Sequence, residues 1–342
     1  MRIDTKTIYW RDGQGQNATN EHLFDLLGKQ SMTIRVRDFR WERDFESVRK
    51  FLADIFSIRK AYTNWIPLEL ENLKFGPGGT KYLDEEDEYL KIWETFDEAQ
   101  QIALRIIAVS YTKPSGNCWL SVHPNYTSTA REIVLWMQNR VKEMKADEGK
   151  EVKMNFIVDD DDEELILLLS DLGFQKGEID GDKQVRPIDC PVPAYSLPEG
   201  YAIRNAVIEK DFQKYREVQM AVFPHIVSMS RELLQLYSTA SFYHEDLDIV
   251  AVDPDGKFAA FCTARIDPLS KIAELEPVGT HPDYRKLGLA RAVICESLKR
   301  LEKYRPSAVV ILGAAPTDGA RRLYESVGFL NEGARHYWFQ MV

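Results

Sequence analysis

The chain has 342 residues, 44% of them hydrophobic and 29% charged, a composition that supports ordinary cores and rules out a disordered protein. A formal charge of −10 argues against non-specific nucleic-acid binding and against anionic membrane surfaces, and favours a cationic or amine-bearing substrate. Cys118, Cys190, Cys262 and Cys295 lie far apart, and the histidines are scattered, so reduced buried thiols are expected and no metal site. No run reaches transmembrane length and the N-terminus has no apolar core of signal length, which predicts a soluble, cytoplasmic protein of about two domains.

Residues 1–31 read as an appendage with a short helix at Glu21–Lys29 and no residue that suggests chemistry. Met32–Arg37 alternates as a strand, and Glu42–Ile58 follows as a helix with Phe45, Val48, Phe51, Leu52, Ile55 and Phe56 as its buried stripe. Residues 59–88 hold a glycine-rich turn at Phe75–Gly79 and an acidic stretch at Tyr82–Tyr89, and support no further element. Strands at Ile102–Ser110 and Trp119–Val122 flank a turn at Thr112–Asn117. Thr129–Lys145 is a long amphipathic helix, Val152–Val158 a strand and Glu163–Leu172 a helix, leaving through Gly173 and Phe174.

After the proline-rich stretch 187–200 the order starts again. Tyr201–Arg204 reads as a strand, Glu209–Phe223 and Ser230–Ala240 as helices, and Ile249–Asp253 with Phe258–Asp267 as a hairpin around Asp253-Pro254-Asp255-Gly256. A strand through Glu274, a helix carrying Leu289, Ala292, Val293, Leu298 and Leu301 on one face, and a strand at Ala308–Leu312 follow. His123-Pro124-Asn125-Tyr126 returns as His281-Pro282-Asp283-Tyr284 at an offset of 158, and Leu172-Gly173-Phe174 as Val327-Gly328-Phe329 at an offset of 155. Two copies of one α/β fold are therefore expected, at 32–186 and 201–342, joined by the linker 187–200.

Between strand and helix in the second copy stands Arg285-Lys286-Leu287-Gly288-Leu289-Ala290. A basic turn with a glycine at a helix start presents backbone N–H groups and the positive end of the helix dipole, which makes an anion site. Gly288 allows close backbone approach, and Ala290 keeps the next turn small. With Ala320-Arg321-Arg322-Leu323-Tyr324-Glu325-Ser326-Val327-Gly328-Phe329 further on, this stretch resembles the two signatures of the GNAT acetyltransferases, the Arg-x-x-Gly-x-Ala loop and Ala-x-x-Leu-Tyr-x-x-x-Gly-Phe. One departure is Thr317, where the family often has asparagine. No Gly-x-x-x-x-Gly-Lys-Ser/Thr string occurs, which disfavours a nucleotide P-loop.

The resemblance implies an α/β fold of two tandem GNAT-like domains, each a mixed, mostly antiparallel sheet flanked by helices. It also implies acetyl-CoA as cosubstrate, bound by Arg285–Ala290 and Thr317, with the backbone at Val278 and Thr280 pairing with the pantetheine arm. Direct attack of a primary amine of a small molecule on the thioester follows from it, with Tyr324 protonating the leaving thiolate. The proton on the amine needs a base; Glu274 and Glu276 share a strand face, and Glu276 is preferred because it lies nearer the cofactor. His281 reads as structural because His123 stands at the same place in the first copy, and Cys295 as a core residue. Phe223, His225, Tyr237, Tyr243 and Trp338 are candidates for the acceptor groove.

The first copy has lost the chemistry. Thr127, Ala130 and Glu132 stand where the loop's arginine, glycine and alanine would be, and Leu169 where the tyrosine would be. Asp159–Asp162 adds acid, read as helix capping more than metal binding. The alternative to an enzyme is a non-catalytic acyl-CoA sensor or scaffold. No nucleic-acid or membrane partner is expected, and the chain is expected to be a monomer or homodimer.

Overall fold

The structure, a computed structural model, describes residues 32–59, 65–76, 89–113, 115–145, 151–224 and 230–342; the helix expected at Glu21–Lys29, residues 77–79 of the glycine-rich turn and His225 fall outside these. In chain order the elements are β1 (Met32–Asp38), α1 (Trp41–Arg59), α2 (Pro67–Phe75), β2 (Leu90–Asp97), β3 (Ile102–Thr112), β4 (Asn117–Val122), α3 (Ala130–Lys145), β5 (Lys153–Asp159), α4 (Glu163–Asp171) and β6 (Gln175–Arg186). They continue as β7 (Ala202–Asn205), α5 (Ile208–Val222), α6 (Arg231–Tyr237), β8 (Asp248–Val252), β9 (Phe258–Ile266), β10 (Ile272–Thr280), α7 (Leu289–Leu301), β11 (Ala308–Ala314), α8 (Asp318–Ser326) and β12 (Leu330–Met341).

The helices and strands expected within the described residues are all present; α2, β2, β6 and β12 are additional. Three of these, β2, α2 and β6, were hidden for physical reasons. β2 is buried along its whole length, polar residues included, so it carries no alternation. Its Glu94 is neutralised by Arg35 at 2.6 Å and Arg37 at 3.0 Å. α2 opens on Pro67 and buries Leu68 and Leu70 together with the polar Glu71, so no purely apolar stripe marks it. β6 buries Asp182 and Lys183, each paired with an opposite charge on a neighbouring element.

The chain forms two compact units. The first takes in the described residues of Met1–Ile55 and Glu85–Met154 with Met341–Val342, the second those of Phe56–Asp84 and Asn155–Gln340. In the first, β1 to β4 form an antiparallel meander. In the second the strand order is β5-β12-β6-β11-β10-β9-β8-β7, so β6 lies between β11 and β12 and pairs antiparallel with both. β10 and β11 run parallel, which requires a crossover, and α7 supplies it. Leu289, Ala292, Val293, Leu298 and Leu301 of α7 are all buried, most of them against β8 to β11. Tyr215 and Val218 of α5 pack on Phe258 and Phe261 in a separate cluster.

The two His-Pro-x-Tyr stretches share one local geometry. His123 Nδ1 accepts from Asn125 N–H at 3.1 Å, and His281 Nδ1 from Asp283 N–H at 3.3 Å, each capping a 3-10 turn. Each imidazole meets its tyrosine edge-on, Tyr126 at 5.8 Å and Tyr284 at 5.4 Å. Phe174 N–H returns to Leu169 O at 2.9 Å and Phe329 N–H to Tyr324 O at 3.0 Å, through glycines in the left-handed region. The shared cap gives His281 the structural role expected of it.

Candidate active site

β10 and β11 pair only at Ile272–Glu274 with Ala308–Val310, and their register ends there. Beyond it β10 keeps β9 as its partner, through an irregularity between Leu275 and Val278, while β11 keeps β6. A cavity of about 410 Å³ lies where they part, lined by Glu276, Pro277 and Val278 on one side and by Ile311–Ala315 and Tyr324 on the other. Tyr215, Phe223 and Tyr237 from the α5–α6 region, with Asp248, Thr263 and Arg265 from the sheet, complete its wall. Asn72 of α2 also lines it.

At the far end of β10 the chain turns into α7. Lys286 has φ +65° and Gly288 φ +76°, so the turn is left-handed at two places. A lysine in that region is strained, of order 1–3 kcal/mol, the kind of cost seen where backbone is held for a purpose. Gly288 is the N-cap of α7, no side chain caps it, and a Cβ built there meets no atom within 4 Å. Ala292 N–H bonds Gly288 O, the N-cap carbonyl, at 3.1 Å, so the earlier N–H groups of the first turn have no helical acceptor. A left-handed residue followed by a helical one makes a concave nest of N–H groups suited to an anion. Arg285, Lys286 and Leu287 are exposed and Ala290 half-buried. Leu289 is a core residue, so only its backbone is available to a ligand.

The corresponding turn of the first unit is different. His123 leads into a 3-10 segment, Pro124–Thr129, that runs straight into α3, with Ala130 right-handed at φ −56°. Its N–H groups are used locally, Tyr126 on His123 O and Ala130 on Thr127 O.

Tyr324 is 8% exposed, its ring packs on Phe329 at 6.0 Å, and burial pushes its phenol up to about 12. Tyr324 is therefore a protonated donor throughout the neutral range. Glu276 is half-exposed and ion-paired with Arg265. Glu274 is fully buried 2.6 Å from the same Arg265, and burial, opposed by that guanidinium, raises its carboxyl to about 8. The two glutamates thus share a face as expected, and Glu276 is the one on the cavity wall. Val278 and Thr280 are half-buried and pair with Cys262 and Ala260 of β9.

Thr317 lies at the start of α8, its hydroxyl accepting from Ala320 N–H at 3.2 Å. That is ordinary N-capping, and it occupies one lone pair of the hydroxyl. Of the acceptor-groove candidates, Phe223 and Tyr237 line the cavity. Tyr243 stands behind the wall, its hydroxyl 3.4 Å from Asp248. Trp338 is a correction: it lies on β12 opposite Lys176 of β6 and does not line the cavity. Asp248, Thr263 and Arg265 escaped the sequence reading, since each sits in an apolar strand with no motif around it.

The acidic run is explained by its neighbours. Asp162 caps α4 through Leu165 N–H at 3.1 Å, and Asp159 meets Arg335 at 3.0 Å. Asp160 meets Lys176 at 2.8 Å and Asp161 meets Lys183 at 2.7 Å. Cys118, Cys262 and Cys295 are buried free thiols and Cys190 is half-buried.

Residues 212–329 match the profile described as "Acetyltransferase (GNAT) family". A mycothiol acetyltransferase of Paenarthrobacter aurescens is 27% identical over 146 residues, 41% of this chain and 45% of that protein. Another, of Renibacterium salmoninarum, is 25% identical over 231 residues, 63% of this chain and 64% of that one. The chain thus spans about half the length of most curated relatives it matches. A GCN5-related N-acetyltransferase from Sphaerobacter thermophilus aligns over 90% of this chain and 95% of its own, with TM-score 0.61 and 15% identity. A tandem GNAT protein from the clavulanic acid biosynthesis pathway aligns over 90% and 98%, with TM-score 0.62 and 13% identity, so that these two share the fold. Residues 212–329 thus match the GNAT family of acetyltransferases, and the two signature-like stretches, Arg285–Ala290 and Ala320–Phe329, lie in that second half.

Proposed function

We propose that the protein transfers an acetyl group from acetyl-CoA to a primary amine of a small molecule. The observation that carries this reading is the parting of β10 and β11 over a cavity walled by Tyr324, with the open helix start at Gly288 on the continuation of β10. The pyrophosphate sits on the N–H groups from Leu287 to Ala290, with Arg285 and Lys286 adding charge. The pantetheine arm lies along Val278 and Thr280 as an added strand. The thioester then lies beside Tyr324, and Glu276, directly or through a water, takes the proton from the attacking ammonium. The neutral amine attacks the thioester carbonyl and the C–S bond breaks; the thiolate takes a hydrogen bond and then the proton from Tyr324, while the second proton leaving the nitrogen returns through water to the tyrosyl oxygen. The names of the curated relatives, mycothiol acetyltransferases, support a small-molecule acceptor. Location in the cytoplasm and action as a monomer or homodimer belong to the same reading.

The first copy, 32–186, is proposed as degenerate, supported by its right-handed turn at Ala130 and by Leu169 in place of the tyrosine. Acetyl-CoA is therefore expected to bind once per chain, and calorimetry giving two equivalent sites refutes the degenerate copy. Gly288→Glu is expected to abolish binding, because a carboxylate fills the phosphate position. Gly288→Ala separates charge from backbone: it carries only the left-handed penalty, about 1–2 kcal/mol, and retains weaker binding. Unchanged affinity in Gly288→Glu means that the loop is not the pyrophosphate site. A non-catalytic acyl-CoA sensor is the rival, and it predicts acetyl-CoA binding without release of free thiol across a panel of amines.

A further inference from the structure

Asp248, the first residue of β8, has no part in the acyl transfer proposed here, yet it lines the same cavity at 3% exposure. Its Oδ1 accepts from Thr263 Oγ1 at 2.8 Å and Tyr215 OH at 3.2 Å, and its Oδ2 from Tyr243 OH at 3.4 Å. These are neutral donors; among the described residues no cation pairs with it. Arg265, on the neighbouring strand, is engaged by Glu274 and Glu276. Burial pushes the Asp248 carboxyl up to about 6, so at neutral pH it is still charged. A buried carboxylate without a counterion is costly and is most readily explained by a ligand that supplies one.

A second observation points the same way. Tyr237 lines the cavity at 8% exposure, and among the described residues its hydroxyl makes no hydrogen bond. Arg265 Nε on the same wall is also buried without a partner. The wall thus sets two carboxylates, Asp248 and Glu276, against one guanidinium, Arg265, beside a polar hydroxyl with open capacity.

We propose that Asp248 and Tyr237 form a cation subsite of the acceptor pocket, so that the acceptor carries a second positive group besides the amine that is acetylated. This rests on the acetyltransferase reading and names its substrate class. β9 lies between β8 and β10, so two strand spacings, about 10 Å, separate the backbones of Asp248 and Glu276. Short alkyl diamines have the reach to engage both.

The test uses the full-length protein saturated with CoA, titrated by calorimetry with diaminopentane, pentylamine and aminopentanol. The diamine is expected to bind at least about tenfold more tightly than the other two, the worth of one charge-assisted contact. Asp248→Asn is expected to erase that preference, so that all three bind alike, and to melt no lower than the parent because an unpaired buried charge is gone. Tyr237→Phe is expected to narrow the preference severalfold, and it serves as the test should Asp248→Asn fail to fold. Equal binding of the three by the parent, binding of none, or a preference retained in the folded variants overturns the subsite. The transferase reading is scored separately by thiol release. Asp248-dependent diamine binding without release sinks only that reading, whereas release with equal kcat/KM for diaminopentane and pentylamine sinks only the subsite.

Discussion

A chain starting at residue 197 is expected to be recovered as aggregate, although it contains both family signatures. Such a fragment lacks β6, which pairs with β11 from Arg186 opposite Val309 to Asp182 opposite Ala314, and with β12 on its other side. Removing it leaves two long edges with unpaired N–H and C=O groups, a ready template for association with other chains. The fragment also loses ion-pair partners of its own side chains, Asp182 for the partly exposed Arg321 at 2.6 Å and Asp159 for the buried Arg335 at 3.0 Å. α2 is lost as well. Ile66 and Leu68, 2% and 1% exposed, pack in one cluster with Tyr237, Phe242, Ile272 and Val310, and Glu71 accepts from Ser241 Oγ at 2.9 Å. Each such apolar side chain is worth about 1.5–3 kcal/mol on full burial. Against a total stability of about 5–15 kcal/mol, these losses together exceed what a domain can absorb. Gel filtration and circular dichroism of fragment 197–342 check this. A monodisperse product with a cooperative melt shows that β6 and α2 contribute nothing the second half needs.

How far the sequence reached depends on where the polarity lies. The strand–loop–helix from β10 into α7 was legible because its buried face is apolar at helical spacing and because glycine marks the left-handed turn. The additional strands were not, because their polar residues point inward and are neutralised there: Glu94 of β2 by Arg35 and Arg37, Lys183 of β6 by Asp159 and Asp161. No periodicity shows a strand whose charges are buried in pairs. The place of residues 155–186 beside the second half was not readable, since strand order is a long-range fact. At the site, Tyr324 and Gly288 stand in motifs. Asp248 and Arg265 stand in apolar strands, and only the fold brings them to one cavity wall.

Tyr324→Phe is expected to lower kcat by about 10²–10⁴-fold, the usual range for a positioned acid, with acetyl-CoA affinity almost unmoved. The substitution keeps the ring, and so the contact with Phe329 and nearly all the apolar burial in the cluster with Val327 and Leu289. Only the hydroxyl goes. The ground-state thioester has little need of a donor at sulfur, so a group that acts as charge develops on the thiolate appears in kcat and not in binding. Burial, which pushes the phenol up to about 12, keeps the proton in place at every pH at which the amine reacts. The loss is therefore expected to be constant between about pH 7 and 9, well below that value. If Tyr324 serves only the core, the reverse is expected: kcat holds, and the melting temperature barely moves, because the ring contacts are kept. Steady-state rates for an accepted amine, set beside a melting curve, separate the two, and a variant with the parent's kcat assigns Tyr324 to packing and the leaving thiolate's proton to solvent.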